Sequence, residues 1–128
     1  MGKVSTGARS INLLRKNGFA ADNVERRNRY VANDFLGCID LIGVRGRDKR
    51  VIGVQATSRS HRTDRVKKIL QTPDIVERVT QWLEAGCELE VWSWGKLAGK
   101  RNYVLGRDVI VIGRDKRLET YRNDEGFE

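Results

Sequence analysis

A lone carboxylate inside an apolar run is the feature of this sequence that points most directly to chemistry. Asp40 lies within the apolar residues 35–44, and a second apolar run, residues 51–57, ends in Gln55-Ala56-Thr57. Burying an ionised carboxylate without a partner is costly, so such a group usually pairs with an opposite charge or binds a metal ion. Asp40 and the Gln-x-Thr sequence are therefore the candidate site.

The spacing of the two runs predicts a β-hairpin that brings these residues together. Both runs are rich in β-branched residues, and the basic residues 45–50 between them have the composition of a turn. With the turn centred on residues 47 and 48, Asp40 lies directly opposite Gln55. Opposed side chains have Cβ atoms roughly 4.5–5.5 Å apart, within reach of one cation, whereas a slip of one residue would put them on opposite faces.

Each of these residues also has an ordinary structural interpretation. Asp40 could pair with an arginine, although a buried ion pair is costly to desolvate. Gln55 could be a hydrogen-bonded polar group of the core, and Thr57 suits a strand without any chemical role. The only histidine, His61, lies in a polar segment where a solvated side chain is common.

Composition bounds the class of protein. The 128 residues fit one domain, which we predict over residues 1–122, with an acidic and frayed tail at residues 123–128. No apolar run approaches the roughly 18 residues of a membrane span, and no signal peptide opens the sequence, so we expect no membrane partner and a cytoplasmic location. Cys38 and Cys87, both within predicted strands, are expected to be free thiols.

The order of the predicted elements indicates an α/β fold with a mixed β-sheet flanked by helices. We predict helices over residues 5–17 and 61–70, and a third helix with Thr72 as its N-cap, Pro73 in its first turn and Gly86 at its end. Strands are predicted over residues 19–27, in the hairpin, and over residues 87–94, 102–105 and 108–112.

The positive charge is concentrated around the candidate site. The formal net charge is +8, from 25 Lys and Arg against 17 Asp and Glu, which favours a polyanionic partner over a merely solvated basic surface. We predict a nucleic acid as that partner, contacted by two groups of basic residues near the hairpin: Arg45, Arg47, Lys49 and Arg50 in the turn, and Arg59, Arg62, Arg65 and Lys68 after the second strand.

The element order and the hairpin motif resemble the PD-(D/E)XK nuclease superfamily over residues 5–94. Ile39-Asp40 stands where that family has Pro-Asp, and Gln55-Ala56-Thr57 stands where it has (Asp/Glu)-x-Lys. The resemblance implies a restriction-endonuclease-like core (αβββαβ) and a bound Mg²⁺ or Mn²⁺. Asp40, Gln55, the Ala56 carbonyl and Asp34 would be the ligands.

The departures from the family pattern concern charge. Thr57 cannot supply the ammonium group that activates water, so Lys67, Lys68 or His61 would have to replace it. Helix 5–17 has no Glu where the small Holliday-junction resolvases of this superfamily carry an acid, and Glu25 or Asp34 are the candidates to replace that acid.

The function implied by this resemblance is metal-dependent hydrolysis of DNA phosphodiester bonds. Asp40, Gln55, Thr57 and Lys67 are the predicted catalytic residues, and branched DNA cut by a homodimer is the substrate that the resolvase likeness implies. The alternative is a catalytically inactive DNA-binding domain on the same scaffold. A third possibility is a protein-interaction module.

Overall fold

The structure, a computed structural model, describes residues 4–27, 32–99 and 101–128, with only the backbone of residues 26, 27, 32 and 33. Within these ranges the protein is an α/β fold with a six-stranded mixed sheet and three helices. The helices are α1 (Thr6–Lys16), α2 (Arg62–Gln71) and α3 (Pro73–Glu84). The strands are β1 (Ala20–Asn23), β2 (Arg26–Arg27), β3 (Ala32–Asn33), β4 (Leu41–Arg45), β5 (Arg50–Ser58), β6 (Glu88–Lys96), β7 (Tyr103–Ile112) and β8 (Leu118–Arg122).

The sheet has the order β1-β4-β5-β6-β7-β8, and β2 and β3 form a separate two-stranded ribbon. The pairing of β5 with β6 is parallel and the other pairings are antiparallel. A parallel pair needs a long crossover connection, and α2 and α3 supply it. The predicted mixed sheet flanked by helices is therefore confirmed.

The helices begin and end close to the predicted residues. The Ser5 hydroxyl accepts a hydrogen bond from the Ala8 N–H at 3.0 Å and caps α1. Pro73 is the first residue of α3, where its missing N–H costs nothing. Gly86 follows α3 with a φ of +93°, a conformation that glycine adopts without strain.

The hairpin has the predicted register, but its first strand is shorter than predicted. Leu41 pairs with Val54, and Arg45 pairs with Arg50. Residues 35–39 form a tight loop rather than a strand, closed by a bridge between Phe35 and Ile39. Positive φ angles at residues 36 and 37 turn the chain there.

Neither cysteine lies in a strand, which corrects the prediction. Cys38 is fully buried within the tight loop, and Cys87 comes just before β6. Both are free thiols, as predicted.

The two faces of the sheet carry separate apolar cores, because successive side chains of a strand point to opposite faces. On one face, Leu41, Val54 and Trp92 pack with Leu14 of α1. On the other face, Val91 and Ile110 pack with Ile69 of α2 and Val79 of α3.

The region after β6 differs from the prediction in three ways. Residues 103–112 are one strand rather than two, and β8 was not predicted. The predicted fraying of the tail is wrong for Phe127, which is 5% exposed and contacts the rings of Phe19 and Trp92. The guanidinium of Arg107 holds the tail by donating to the carbonyl of residue 125 at 3.1 Å.

Arg107 is itself held inside the protein by a buried ion pair. Its Nε donates to Glu90 Oε1 at 2.6 Å, and its Nη2 donates to Glu90 Oε2 at 3.0 Å. The indole N–H of Trp92 donates to the same carboxylate at 3.0 Å.

None of the helices in the described ranges has the length and apolar character needed to cross a bilayer.

Candidate metal centre

Three carboxylates converge at one end of β4. Glu25, Asp34 and Asp40 each offer an oxygen, and these oxygens lie within 4.8 Å of one another. All three residues are partly buried. In the described part of the chain this is the group of acidic side chains with the spacing of a cation site.

The tight loop at residues 35–39 brings two of these acids together. Because Phe35 and Ile39 form an antiparallel bridge, their outer neighbours Asp34 and Asp40 extend the same pairing and face each other. Asp34 is therefore opposite Asp40 across this loop. Glu25 lies in the segment after β1, where the N–H of the preceding residue, Val24, donates to the Asp40 carbonyl at 2.7 Å.

Gln55 completes this group on the neighbouring strand. It is 3% exposed, and its Nε2 donates to Asp34 Oδ2 at 3.1 Å. Its carbonyl oxygen Oε1 is buried and has no hydrogen-bond partner among the described residues. An unsatisfied buried acceptor costs about 1–3 kcal/mol, and a cation held beside the carboxylates is one partner that could satisfy it.

The backbone of β5 fixes the orientation of Asp40. The Ala56 N–H donates to Asp40 Oδ2 at 2.9 Å, and the Asp40 N–H donates to the Val54 carbonyl at 3.0 Å. In a strand the N–H and C=O of one residue point to the same edge. The Ala56 carbonyl therefore points to the edge where Asp40 lies, which is consistent with its predicted role as a ligand.

The electrostatics of the site favour a bound cation. Burial raises the pKa of Asp40 from 3.8 to about 7, the Ala56 N–H opposes this shift, and the charges of Asp34 and Glu25 add to it. A nearby positive ion favours the charged form of a carboxyl group, so a cation at this position would offset the cost of ionising buried Asp40. Carboxylate, amide and carbonyl oxygens are ligands for Mg²⁺ and Mn²⁺, and the nitrogen and sulfur ligands that Zn²⁺ prefers are absent from this group.

Thr57 lies in the same face of β5 as Gln55, is 5% exposed, and carries no charge. The predicted replacements for the missing ammonium group follow on the next elements. His61 is exposed at the start of α2. Lys67 is in a groove with Asp108 and Thr120, towards β8. The charge of Lys68 acts on the tight loop, where it lowers the pKa of Cys38 against the larger effect of burial.

The basic turn of the hairpin is far from the acidic group. The turn is at the opposite end of β4 from Asp40, five residues or roughly 16 Å along the strand. The predicted clustering of Arg47 and Lys49 beside the site is therefore wrong, because the turn follows one end of β4 and Asp40 precedes the other end. Arg59, Arg65 and Lys68 follow the other end of β5, the end nearer the site.

Several of the predicted DNA-binding arginines are bound to carboxylates of the protein itself. The closest pairs are Arg62 with Asp108 at 2.6 Å, Arg50 with Glu88 at 2.7 Å, and Arg45 with Asp48 at 2.8 Å. Arg45 is also 8% exposed. These guanidinium groups have structural partners already, so contacts with phosphate fall mainly to the other cations.

Comparisons with protein families, with curated proteins and with solved structures found no match for this chain. The described residues thus define an α/β fold in which three acidic side chains have the spacing of a cation site.

Proposed function

We propose that this protein is a metal-dependent endonuclease that hydrolyses DNA phosphodiester bonds. The observation that carries the proposal is the convergence of Glu25, Asp34 and Asp40 beside the Gln55 amide, whose carbonyl oxygen is buried and unsatisfied. This set of oxygens suits Mg²⁺ or Mn²⁺, and the net charge of +8 suits a polyanionic substrate.

The order of the elements supports the same proposal. Apart from the β2–β3 ribbon between β1 and β4, one helix, three antiparallel strands (β1, β4 and β5), a helical crossover and a parallel strand (β6) follow each other along the chain. This order is similar to the αβββαβ core that the sequence resemblance implies, and Asp40 and Gln55 are the residues that the resemblance would make metal ligands.

Asp40, Asp34, Glu25, Gln55 and the Ala56 carbonyl would hold the metal. When bound, such an ion orients the scissile phosphate and lowers the pKa of a coordinated water. The protein's own contribution is positional. The Ala56 N–H keeps the Asp40 carboxylate in place, and the Gln55 amide keeps Asp34 directed towards it.

Lys68 is the residue we assign to balance negative charge on the phosphate. It replaces Lys67 in that role because Lys67 lines a groove on the β8 side of α2. Thr57 then has a structural role in β5. We also propose that the protein acts in the cytoplasm as a homodimer and prefers branched DNA. This part of the proposal depends on the resolvase resemblance alone.

The experiment is cleavage of a four-way junction and of a matched linear duplex with Mg²⁺ or Mn²⁺. Wild type should cut, Asp40→Asn should not, and Asp115→Asn should cut like wild type. Asp115 is a suitable control because its side chain is 60% exposed in the turn after β7. Cleavage that persists in Asp40→Asn at the wild-type rate would contradict the proposal.

A second candidate function is DNA binding without hydrolysis. It is favoured by Thr57, a buried neutral residue at the position where the resemblance expects lysine. This alternative predicts binding that weakens steeply with salt and is the same for wild type and Asp40→Ala, with no product in either metal. The junction assay therefore separates the two candidates.

A further inference from the structure

We infer that Arg59 is a docking point for a backbone phosphate of the DNA substrate, held in position by Gly95. This inference deepens the proposed function and relies on it for the identity of the ligand. Its starting point is that the described residues contain two buried side-chain polar atoms without a hydrogen-bond partner: Gln55 Oε1 and Arg59 Nε. Gln55 Oε1 is an acceptor suited to a cation. Arg59 Nε is a donor covered by the protein, so an anion would meet the terminal nitrogens of the same guanidinium, which form no hydrogen bond among the described residues.

The two atoms belong to the same face of the sheet. Gln55 and Thr57 pair with Val91 and Ser93 of β6, and parallel neighbours in register point to the same face. Gly95 is the next residue of β6 on that face. Arg59 follows the end of β5, so that a substrate strand crossing this end of the sheet would pass both the acidic group and Arg59.

The arginine lies flat against the sheet because residue 95 is a glycine. A Cβ built on Gly95 would be 2.8 Å from the Cβ of Arg59 and 3.1 Å from its Nε. Any larger residue would have to displace the arginine. The contact fixes a side chain that is otherwise flexible, so less conformational entropy is lost when it binds an anion.

Arg59 differs from the other partly buried arginines near the sheet. Arg50, Arg62, Arg107 and Arg122 each form an ion pair with a carboxylate, whereas Arg59 forms none within the described ranges. A guanidinium suits phosphate because its planar array of donors matches phosphate oxygens. The missing partner of Arg59 is thus an anion brought by a ligand.

The test measures binding of a short duplex DNA in EDTA, where no cleavage occurs, over a range of salt concentrations. Each phosphate contact contributes about 0.9 to the slope of log K against log salt. Arg59→Gln should weaken binding about tenfold and reduce the slope by about 0.9, as for a lost charged hydrogen bond. Arg59→Lys should keep the slope and lose part of the affinity, because lysine lacks the planar donor array.

Two further variants test position rather than charge. Gly95→Ala keeps the arginine but displaces it, so its affinity should fall in the same direction as that of Arg59→Gln. Arg117→Gln removes a charge that is 86% exposed before β8, and should change affinity less than about twofold. Urea unfolding of each variant, with a midpoint like that of wild type, shows that the fold is kept.

The inference is overturned if Arg59→Gln binds with the affinity and slope of wild type, if Arg117→Gln loses as much as Arg59→Gln, or if wild type does not bind DNA. The first two outcomes leave the proposed function untouched, whereas wild type that does not bind DNA contradicts both proposals. A protein that binds through Arg59 but never cuts would contradict the nuclease proposal alone. A protein that cuts but is indifferent to Arg59→Gln would contradict the Arg59 inference alone.

Discussion

Replacement of Asp40 by asparagine should stabilise the metal-free protein at high pH. The folded pKa of Asp40 is about 7, against an ordinary value of 3.8. A carboxyl group with a raised folded pKa contributes stability that is complete below pH 3.8 and is lost as the pH rises through about 7. The asparagine side chain is neutral at every pH and keeps an oxygen that can accept the Ala56 N–H.

The size of the effect follows from the shift. Three pKa units correspond to about 4 kcal/mol at full value, and partial exposure of Asp40 to solvent reduces this to about 2 kcal/mol. We therefore expect the free energy of unfolding of Asp40→Asn to exceed that of wild type by about 2 kcal/mol at pH 8. The difference should shrink towards zero, or reverse, near pH 4.

Urea unfolding in EDTA at several pH values measures this difference, with Asp115→Asn as the control. Mn²⁺ should then reverse the order at pH 8, because a metal bound only to folded wild type adds about 2.7 kcal/mol at a hundredfold excess over its Kd. Asp40→Asn that is less stable than wild type at pH 8 in EDTA would refute the reasoning. So would Mn²⁺ that stabilises both proteins equally.

Three other outcomes follow from the same contacts. Gln55→Glu should lower metal-free stability at pH 8 by about 1–3 kcal/mol, and Mn²⁺ should restore more of the stability than it adds to wild type; urea unfolding with and without Mn²⁺ checks both. Glu90→Gln should cost about 3–5 kcal/mol by leaving Arg107 buried without a carboxylate, which unfolding monitored by tryptophan fluorescence measures. At pH 8 an alkylating reagent should modify Cys87 and spare Cys38, whose pKa burial raises to about 12; mass spectrometry of the labelled native protein decides, and equal labelling of both thiols would contradict the buried position.

The sequence was sufficient to predict the hairpin register because two local signals agree there. The turn composition and the alternation of apolar residues both place Leu41 opposite Val54, so the proximity of Asp40 and Gln55 could be predicted from the sequence alone. The helix starts at Ser5 and Pro73 were predictable for a similar reason, since each depends on one residue and its immediate neighbours.

The acidic group was only partly predictable. Glu25 and Asp34 were each identified as a possible replacement for a missing acid, but both lie close to Asp40, Asp34 through the loop at residues 35–39 and Glu25 from the segment after β1. That loop looked like the start of a strand, because its apolar residues satisfy the β pattern. The Gly37 that bends it could equally have been a residue of a strand.

The end of the chain was poorly predicted because its structure depends on distant partners. Residues 123–128 have the composition of an acidic, polar tail. Nothing near Phe127 in the sequence indicates that its ring contacts Phe19 and Trp92. The strand β8 was missed for a local reason. Its alternating pattern at residues 118–122 is short, and its five residues are mostly exposed.

The contact between Phe19 and Phe127 also has a consequence for how the protein folds and opens. It joins residues near the two ends of the described chain, at 5.5 Å between ring centroids, whereas the β4–β5 hairpin is made of local contacts. Contacts between distant residues close late and slow folding. A segment held by one ring and a few hydrogen bonds is also among the first to open. We expect amide hydrogens of residues 123–127 to exchange with solvent well before those of β5 and β6. The apolar core on the face of the sheet covered by α1 should therefore open first at the C-terminal segment, while the acidic group stays intact.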